Sequence, residues 1–565
     1  MKLNDVWGYG QLFGFSALEG ENRYYNDFIG TLTKKKIGIR FELKEWLKII
    51  FPVVGRVKFN ALMSDFIEAK TQNGGFFLTF LDNDTLVGYS PVLPEFDFSG
   101  KTYLRGTYRN CQVAYNNSDG IALYSKKEGD LFIFSISHSI NIGIASHVAK
   151  QAIECDIQSL KEKCYAYYKL MPKCKDKRYE RLYYKALSVN KVNVRSAEGK
   201  IPCRWTTPDR VPHRHMWLWD SVFHALAIVT YNGELAKEVL RAVFSQQRSD
   251  GFIPCTMSPN GGDEVTQPQV LSWGVWTVYK KTGDKEFLKE CVNALEKYLV
   301  WDINNRDKNA NGLLEWSGDP DDVACKCGES GLDNSPRFDF DSDMDAIDFS
   351  TFLANDALYL SYIYGELDED ANSKKWKAIY DELKDKINSL MYDEESGAYY
   401  DRLFNGKLTK VITPMSFLPM MAKIPTKEQA ARMIKTLNDK ELLWTEFPLS
   451  SIGKNHPAYS TDMWRGPTWL NVNYFIINGL ISYGYNEVAE ELREKTLLTV
   501  YKWYKKTGTI FEFYDSADKV SPLYCDRKGK QPKTPDWRKH VHAIVDYNWS
   551  SCFTLLMIER EFFAC

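Results

Sequence analysis

No stretch of this chain approaches the roughly 18 consecutive apolar residues that a membrane-spanning helix requires. The opening residues, Met1-Lys2-Leu3-Asn4-Asp5-Val6-Trp7-Gly8, lack the unbroken apolar core of a secretory signal. Neither charge is in excess: 72 Lys+Arg stand against 74 Asp+Glu, a net charge of −2. That balance leaves no basic field for nucleic acid and no polybasic run for a membrane surface. The 12 cysteines are scattered, and the nearest pair, Cys325-Lys326-Cys327, is not CxxC. They read as free thiols of a reducing, cytoplasmic compartment rather than a disulfide framework. In that compartment the sequons at Asn83, Asn116 and Asn548 are coincidental.

What the chain has is length and aromatic rings. Its 565 residues exceed one ordinary core, so two or more domains are expected. Of the 16 Trp, 14 follow residue 200, which places any aromatic-lined site in the C-terminal part. Residues 1–145 read as β-rich. Runs such as Ala122-Leu123-Tyr124-Ser125 and Asp130-Leu131-Phe132-Ile133-Phe134-Ser135-Ile136-Ser137 follow turn clusters such as Asn116-Asn117-Ser118-Asp119-Gly120. A β-sandwich is the simplest closure. Residues 146–190 turn helical and read as a linker.

From 191 to 565 helix follows helix. Residues 221–245, 273–304, 350–366, 374–391, 427–437, 467–483, 486–506 and 549–562 all carry the helical period. Arg248-Ser249-Asp250-Gly251-Phe252, Asn309-Ala310-Asn311-Gly312-Leu313 and Glu395-Ser396-Gly397-Ala398-Tyr399 repeat one turn type between them. Nearly uniform apolar helices such as 469–480 suit an inner layer, and one-sided charged ones such as 487–495 an outer layer. The pattern is that of a ring of helical hairpins.

Several segments carry chemistry. In His213-Arg214-His215-Met216-Trp217-Leu218-Trp219-Asp220-Ser221-Val222-Phe223-His224, Asp220-Ser221 alone reads as a helix N-cap. Zinc held by His213, His215 and His224 is the rival there, but no further ligands follow at a known spacing. Asp307-Lys308-Asn309-Ala310-Asn311-Gly312 imitates half a calcium loop. Its closing Glu is missing because residue 318 is Gly, so an interhelical turn is preferred. Gly261-Gly262-Asp263-Glu264-Val265-Thr266-Gln267-Pro268 is a loop leading to a helix with Trp273. Glu329-Ser330-Gly331-Leu332-Asp333-Asn334-Ser335-Pro336-Arg337-Phe338-Asp339 follows Glu315-Trp316, and by composition alone it is a solvated polar loop. Trp464-Arg465-Gly466-Pro467-Thr468-Trp469 opens a further helix, and Phe511-Glu512-Phe513-Tyr514-Asp515 and Asn548-Trp549-Ser550-Ser551 close the series.

Taken in order, Asp220, Gln267, Asp333, Arg465, Glu512 and Trp549 resemble the active-site series of inverting glycosidases of family 63, the mannosylglycerate hydrolases and the trehalases. The resemblance covers the C-terminal two-thirds of the chain. It implies an all-α (α/α)6 toroid behind an N-terminal all-β sandwich. Asp333 would be the general acid and Glu512 the general base, the two carboxyl groups that glycoside hydrolysis needs. It further implies sugar contacts from Trp217, Trp219, Asp220, His224, Gln267, Trp273, Asn334, Arg337, Trp464, Arg465, Trp469 and Trp549. The implied substrate is a small carbohydrate, an α-glucoside or α-mannoside, with no metal and no cofactor. A phosphorylase, which replaces the base by phosphate, and a non-catalytic sugar-binding protein are the rivals. Terpene cyclases need an aspartate-rich motif that Asp319-Pro320-Asp321-Asp322 matches poorly.

Overall fold

The computed structural model describes residues 3–4, 6, 12–14, 24, 29–32, 37–41, 47–53, 55–98, 104–116, 119–209, 213–319, 321–339, 343–534 and 541–563. Of the segments named above, parts of the opening eight residues, Asn117-Ser118 and Pro320 lie outside them. Two compact units form: Met1–Glu198 with Trp503–Ile510, and Gly199–Lys502 with Phe511–Cys565.

The first unit holds two antiparallel sheets. One orders Leu12–Gly14, Ile29–Leu32, Ile37–Phe41, Leu47–Phe51 and Glu95–Phe98. The other runs Leu104–Tyr108, Cys111–Asn116, Asp119–Glu128, Leu131–Ser139, Thr85–Ser90, Gly74–Asp82, Phe66–Thr71 and Lys58–Leu62. Strand alternation turns side chains of the second sheet to two sides. Phe76 and Phe134 meet Phe51 of the first sheet at 5.0 and 5.1 Å between ring centroids. Phe66 instead packs on Tyr165 at 5.2 Å. Tyr165 belongs to α2 (Ile157–Leu170), which with α1 (Ile142–Ala152) and α3 (Glu180–Val192) falls inside this unit. α1 lays Ala145 and Ala149 on Cys111, Val113 and Ala122, and Lys191 of α3 reaches the buried Asp65 at 2.5 Å. The segment expected as a linker is therefore a packed layer of the first unit.

The second unit is helical. Its elements are α4 (Leu218–Ile228), α5 (Gly233–Phe244), α6 (Leu271–Thr282), α7 (Lys285–Asn305), α8 (Ile347–Glu366), α9 (Asp370–Met391), α10 (Lys427–Leu437), α11 (Leu470–Ser482), α12 (Asn486–Thr507) and α13 (Asn548–Glu559). α12 gives its last turn to the first unit. Two stretches expected as single helices are hairpins. Asn232 caps α5 through Leu235 N at 3.1 Å, and Gly283 (φ 70°) with Asp284 separates α6 from α7. Packing runs in a closed order: α4 on α6, α6 on α8, α8 and α11 on the 3-10 segment Pro414–Met420, α11 on α13, and α13 on α4. Every residue of α4 and α13 is buried, whereas α9 and α10 bury one stripe each. All-round apolar helices inside and amphipathic ones outside is the arrangement their sequences dictate.

Candidate active site

Three inner helices start at aromatic residues: Trp217 precedes α4, Trp469 precedes α11 and Tyr547 precedes α13. Their N-terminal ends come together. Trp549 sits 5.4 Å from Trp219 and 5.7 Å from Trp469 between ring centroids, and Tyr547 lies 5.0 Å from Trp549. Trp464 stacks flat on Trp469 at 3.8 Å, and Phe513, the neighbour of Glu512, packs on Trp469 at 5.0 Å. Rings of this kind offer flat apolar faces with polar edges, a surface on which sugars pack. The indole nitrogens of Trp217, Trp464 and Trp549 are buried with no hydrogen-bond partner among the described residues, and so is Asp220 Oδ1. Buried polar atoms normally have partners, which makes these four atoms candidates for hydrogen bonds to a ligand or to water.

Asp220 lies in the first turn of α4 rather than at its N-cap. Burial pushes its carboxyl well above the ordinary carboxylate range, and the charges of Asp209 and Glu512 push the same way. Gln267 acts on the start of this helix: its Oε1 accepts Trp219 N at 3.1 Å.

The loop 328–339 is tied down at each end. Glu329, 1% exposed, accepts Thr266 N (3.0 Å), Ser317 N (2.6 Å) and both Nε (3.2 Å) and Nη2 (2.7 Å) of Arg306. Asn334 Oδ1 accepts Trp464 N at 3.1 Å, and Arg465 Nη2 donates to Asp339 Oδ1 at 2.6 Å. Between them Gly331 (φ 71°) lies against Trp219, where an added Cβ would come within 2.3 Å of Cζ2. Only glycine fits such a left-handed, close-packed position without strain. Because this loop carries Asp333, expected above as the general acid, Gly331→Ala should lower kcat/KM about a hundredfold, the cost of misplacing a reacting group by about 1 Å, with helix content by circular dichroism unchanged. A native rate in that variant would show that the loop does not depend on the Trp219 face.

Asp333 and Glu512 are gripped by two consecutive residues. Arg527 donates Nε to Glu512 Oε2 at 3.1 Å and Nη2 to Oε1 at 3.3 Å, while Ile544 N donates to Oε2 at 3.3 Å. Lys528 Nζ lies 2.7 Å from Asp333 Oδ2. Burial works against the charge of Arg527, yet Glu512 first and Asp333 second hold its guanidinium above the ordinary value. Burial likewise opposes Lys528, and Asp333 together with Cys325 holds its amine above the ordinary value. Asp333, Glu512, Arg527, Lys528, Asp220 and Tyr547 therefore share one electrostatic neighbourhood.

Three expected sugar contacts are placed elsewhere. Arg337, 1% exposed, donates Nε and Nη2 to Asp401 (2.8 and 2.6 Å), Nη2 to Asp348 Oδ1 (2.8 Å), and Nη1 to Asp348 Oδ2. Its guanidinium is consumed inside the protein. Trp273 is core: its indole N–H donates to Phe563 O at 3.0 Å and its ring meets Phe475. His224 is enclosed in α4 beside Thr206 Oγ1 (2.8 Å), and burial lowers its imidazole to about 3.

Sequence reasoning overlooked Arg527, Lys528 and Tyr547. It also missed Asp209, whose Oδ2 lies 2.6 Å from His213 Nδ1, with His213 edge-on to Trp217 and Tyr547. For Arg527, Lys528 and Tyr547 the available signal was their place between Glu512 and Asn548; for Asp209 it was its closeness to His213.

The model of the mannosylglycerate hydrolase MGH1-like glycoside hydrolase domain matches residues 213–550, more than half of the chain. An uncharacterized protein of Borreliella burgdorferi is 30% identical over 267 residues, 46% of this chain and 53% of that protein. The mannosylglycerate hydrolase MGH1 of Selaginella moellendorffii is 23% identical over 395 residues, 55% of this chain and 77% of that enzyme. A crystal structure of a bacterial glucoamylase complexed with acarbose superposes with a TM-score of 0.61 at 12% identity, covering 99% of this chain and 96% of that one. At that identity the likeness is one of fold.

Proposed function

Because the chain belongs to the mannosylglycerate hydrolase MGH1-like family of glycoside hydrolase domains, we propose that it is an exo-acting, inverting α-glycosidase in which Asp333 is the general acid and Glu512 the general base. One observation carries the reading: two carboxylates far apart in sequence are held by the neighbours Arg527 and Lys528. Two consecutive side chains tie both carboxyl groups to one stretch of backbone, and an inverting site needs them about 6.5–9.5 Å apart, leaving room for a water. Glu512, fixed by Arg527 and Ile544 N, would take a proton from that water. Asp333 would release Lys528 and, protonated, pass its proton to the glycosidic oxygen. Asp220 and the indole edges of Trp217, Trp464 and Trp549 would receive sugar hydroxyls.

The closed order of inner helices supports an (α/α)6 toroid over residues 191–565. The meeting of two sheets at Phe51 supports a sandwich over 1–145. The cysteines among the described residues are thiols rather than disulfides, which supports a reducing, cytoplasmic setting. The substrate would be a small α-glucoside or α-mannoside, with glycosylglycerates the first to assay given the Selaginella relative.

Time-resolved proton NMR on a cleaved α-linked substrate should show the β-anomer first, without added phosphate. The α-anomer as first product would remove the inverting mechanism. Turnover that depends on phosphate would move the protein to the phosphorylases.

A further inference from the structure

Lysines of the helical unit commonly close onto a carboxylate, as Lys281 does on Glu561 at 2.6 Å and Lys375 on Glu296 at 2.7 Å. One cleft of this unit departs from that habit. Lys440, Lys454, Lys495 and Lys519 all line it, from four separate stretches of chain. Lys454 stands 3.4 Å from Glu441 and Lys495 3.5 Å from Glu491, beyond the about 2.7–2.9 Å of a charge-assisted hydrogen bond. Lys440 and Lys519 have no ion-pair partner among the described residues. Against these four ammonium groups the lining sets two carboxylates, Glu441 and Glu446, so two positive charges are in excess. Like charges gathered round one hollow repel unless an anion lies among them.

The backbone around the cleft is fixed by contacts of its own. Trp444 and Thr445 line it as buried residues, and Thr445 Oγ1 donates to Phe447 O at 3.0 Å. Phe447 N donates to Ser516 O at 2.8 Å, and Tyr459 Oη lies 2.7 Å from Ser516 Oγ. Asp515 accepts Ala517 N at 3.2 Å and Lys519 N at 2.9 Å. What is left free to adapt is the lysine stems, so little ordering is needed when a ligand enters. We propose that this cleft is a second binding site, separate from the catalytic cluster, for a phosphorylated monosaccharide.

Charge, room and lining agree on that class of ligand. A phosphate monoester carries a charge of about −1.5 to −2 near neutral pH, which matches the excess left by the lysines. Lysine binds phosphate as a point charge with three donors that can turn to meet it. The hollow holds about 330 Å³, at the small end of the about 300–1,000 Å³ of small-molecule sites. Glu441 and Glu446 can accept sugar hydroxyls, and Tyr459, half-buried in the lining, adds an aromatic ring on which a sugar can pack. None of the lining residues belongs to the neighbourhood of Asp333 and Glu512.

The test is titration calorimetry of the full chain with glucose 6-phosphate, in excess glucose that occupies any sugar pocket at the catalytic cluster. One molecule should bind per chain with a Kd below about 1 mM, and added NaCl should weaken it. Inorganic phosphate should bind at least about tenfold more weakly, since it forgoes the ring and hydroxyl contacts. Lys440→Glu and Lys519→Glu should each weaken binding at least about tenfold, the scale of one charge-assisted hydrogen bond. Lys374→Glu on α9 changes net charge equally but lies outside the cleft, and it should leave binding as it was. Absence of binding by glucose 6-phosphate up to about 10 mM would overturn the site. An equal loss in Lys374→Glu would overturn it too, by tracing the binding to net charge. Inorganic phosphate binding as tightly as the ester would overturn the sugar as part of the ligand. None of these readouts depends on turnover, so failure here leaves the glycosidase reading untouched.

Discussion

Asp333→Asn and Glu512→Gln should each lower turnover on a cleaved α-glycoside about a thousandfold or more, while thermal unfolding stays near that of the native chain. Proton transfer by a positioned side chain contributes about 10²–10⁴ in rate, and each change removes one such transfer while keeping shape. Asparagine at 333 can still contact Lys528 but has no proton of useful acidity for the leaving oxygen. Glutamine at 512 can still accept from Arg527 and Ile544 N, yet it cannot take a proton from water. The two variants should also separate on an activated substrate. A leaving group that needs no protonation, such as a nitrophenolate, should rescue Asp333→Asn and leave Glu512→Gln inactive. Native turnover in either variant would end its assigned role. Rescue of the wrong one would exchange the acid and the base.

The helical half was legible because an inner helix buried all round and an outer helix buried on one stripe differ in composition. The breaks within 221–245 and 273–304 were not, since Tyr231-Asn232-Gly233 and Thr282-Gly283-Asp284 each occupy about one turn of an otherwise continuous period. Both hold the signals of a stop and a restart: an Asn or Asp N-cap and, in the second, a left-handed glycine. Length was the missing criterion, because an unbroken helix could not have folded back to pack α4 on α5.

For the site, residue types chosen by segment were right about neighbourhood and weaker about direction. Trp219, Asp220, Trp464, Trp469 and Trp549 do gather, because each stands at or near the start of an inner helix. Asn334, Gln267 and Arg465 stand beside them, but one polar atom of each is bound to another protein group. Position along a loop does not tell whether a polar side chain turns toward the mouth or ties the loop down. Arg527 and Lys528 were missed for the converse reason. Nothing local to Asp526-Arg527-Lys528-Gly529 distinguishes it from a surface turn, and its meaning comes from the carboxylates that reach it.

Arg337→Met should be the most destabilising single change in the helical unit, at about 3–5 kcal/mol, the cost of breaking a buried ion pair from one side. Arg337 is fully enclosed between Asp348 and Asp401. Removing it leaves two buried carboxylates facing each other. They would keep only donors from the protein around them: Ile347 N on Asp401 at 3.0 Å, and Trp316 Nε1 (2.9 Å) and Phe349 N (3.0 Å) on Asp348. Two of these amides open α8, whose N-terminal dipole favours negative charge but only by about 0.3–1 kcal/mol. The loss should show as a lower urea midpoint for the helical unit, followed by tryptophan fluorescence. Arg337→Lys should fall between, since an ammonium keeps the charge but cannot bridge two carboxylates as a planar fork does. Adding Asp348→Asn and Asp401→Asn to Arg337→Met should recover part of the loss, because neutral amides remove the stranded charge. A native midpoint for Arg337→Met would mean that the guanidinium is not needed there and return Arg337 to the sugar contacts. A triple variant no better than Arg337→Met would place the cost in lost packing of the arginine stem instead of in the uncompensated carboxylates.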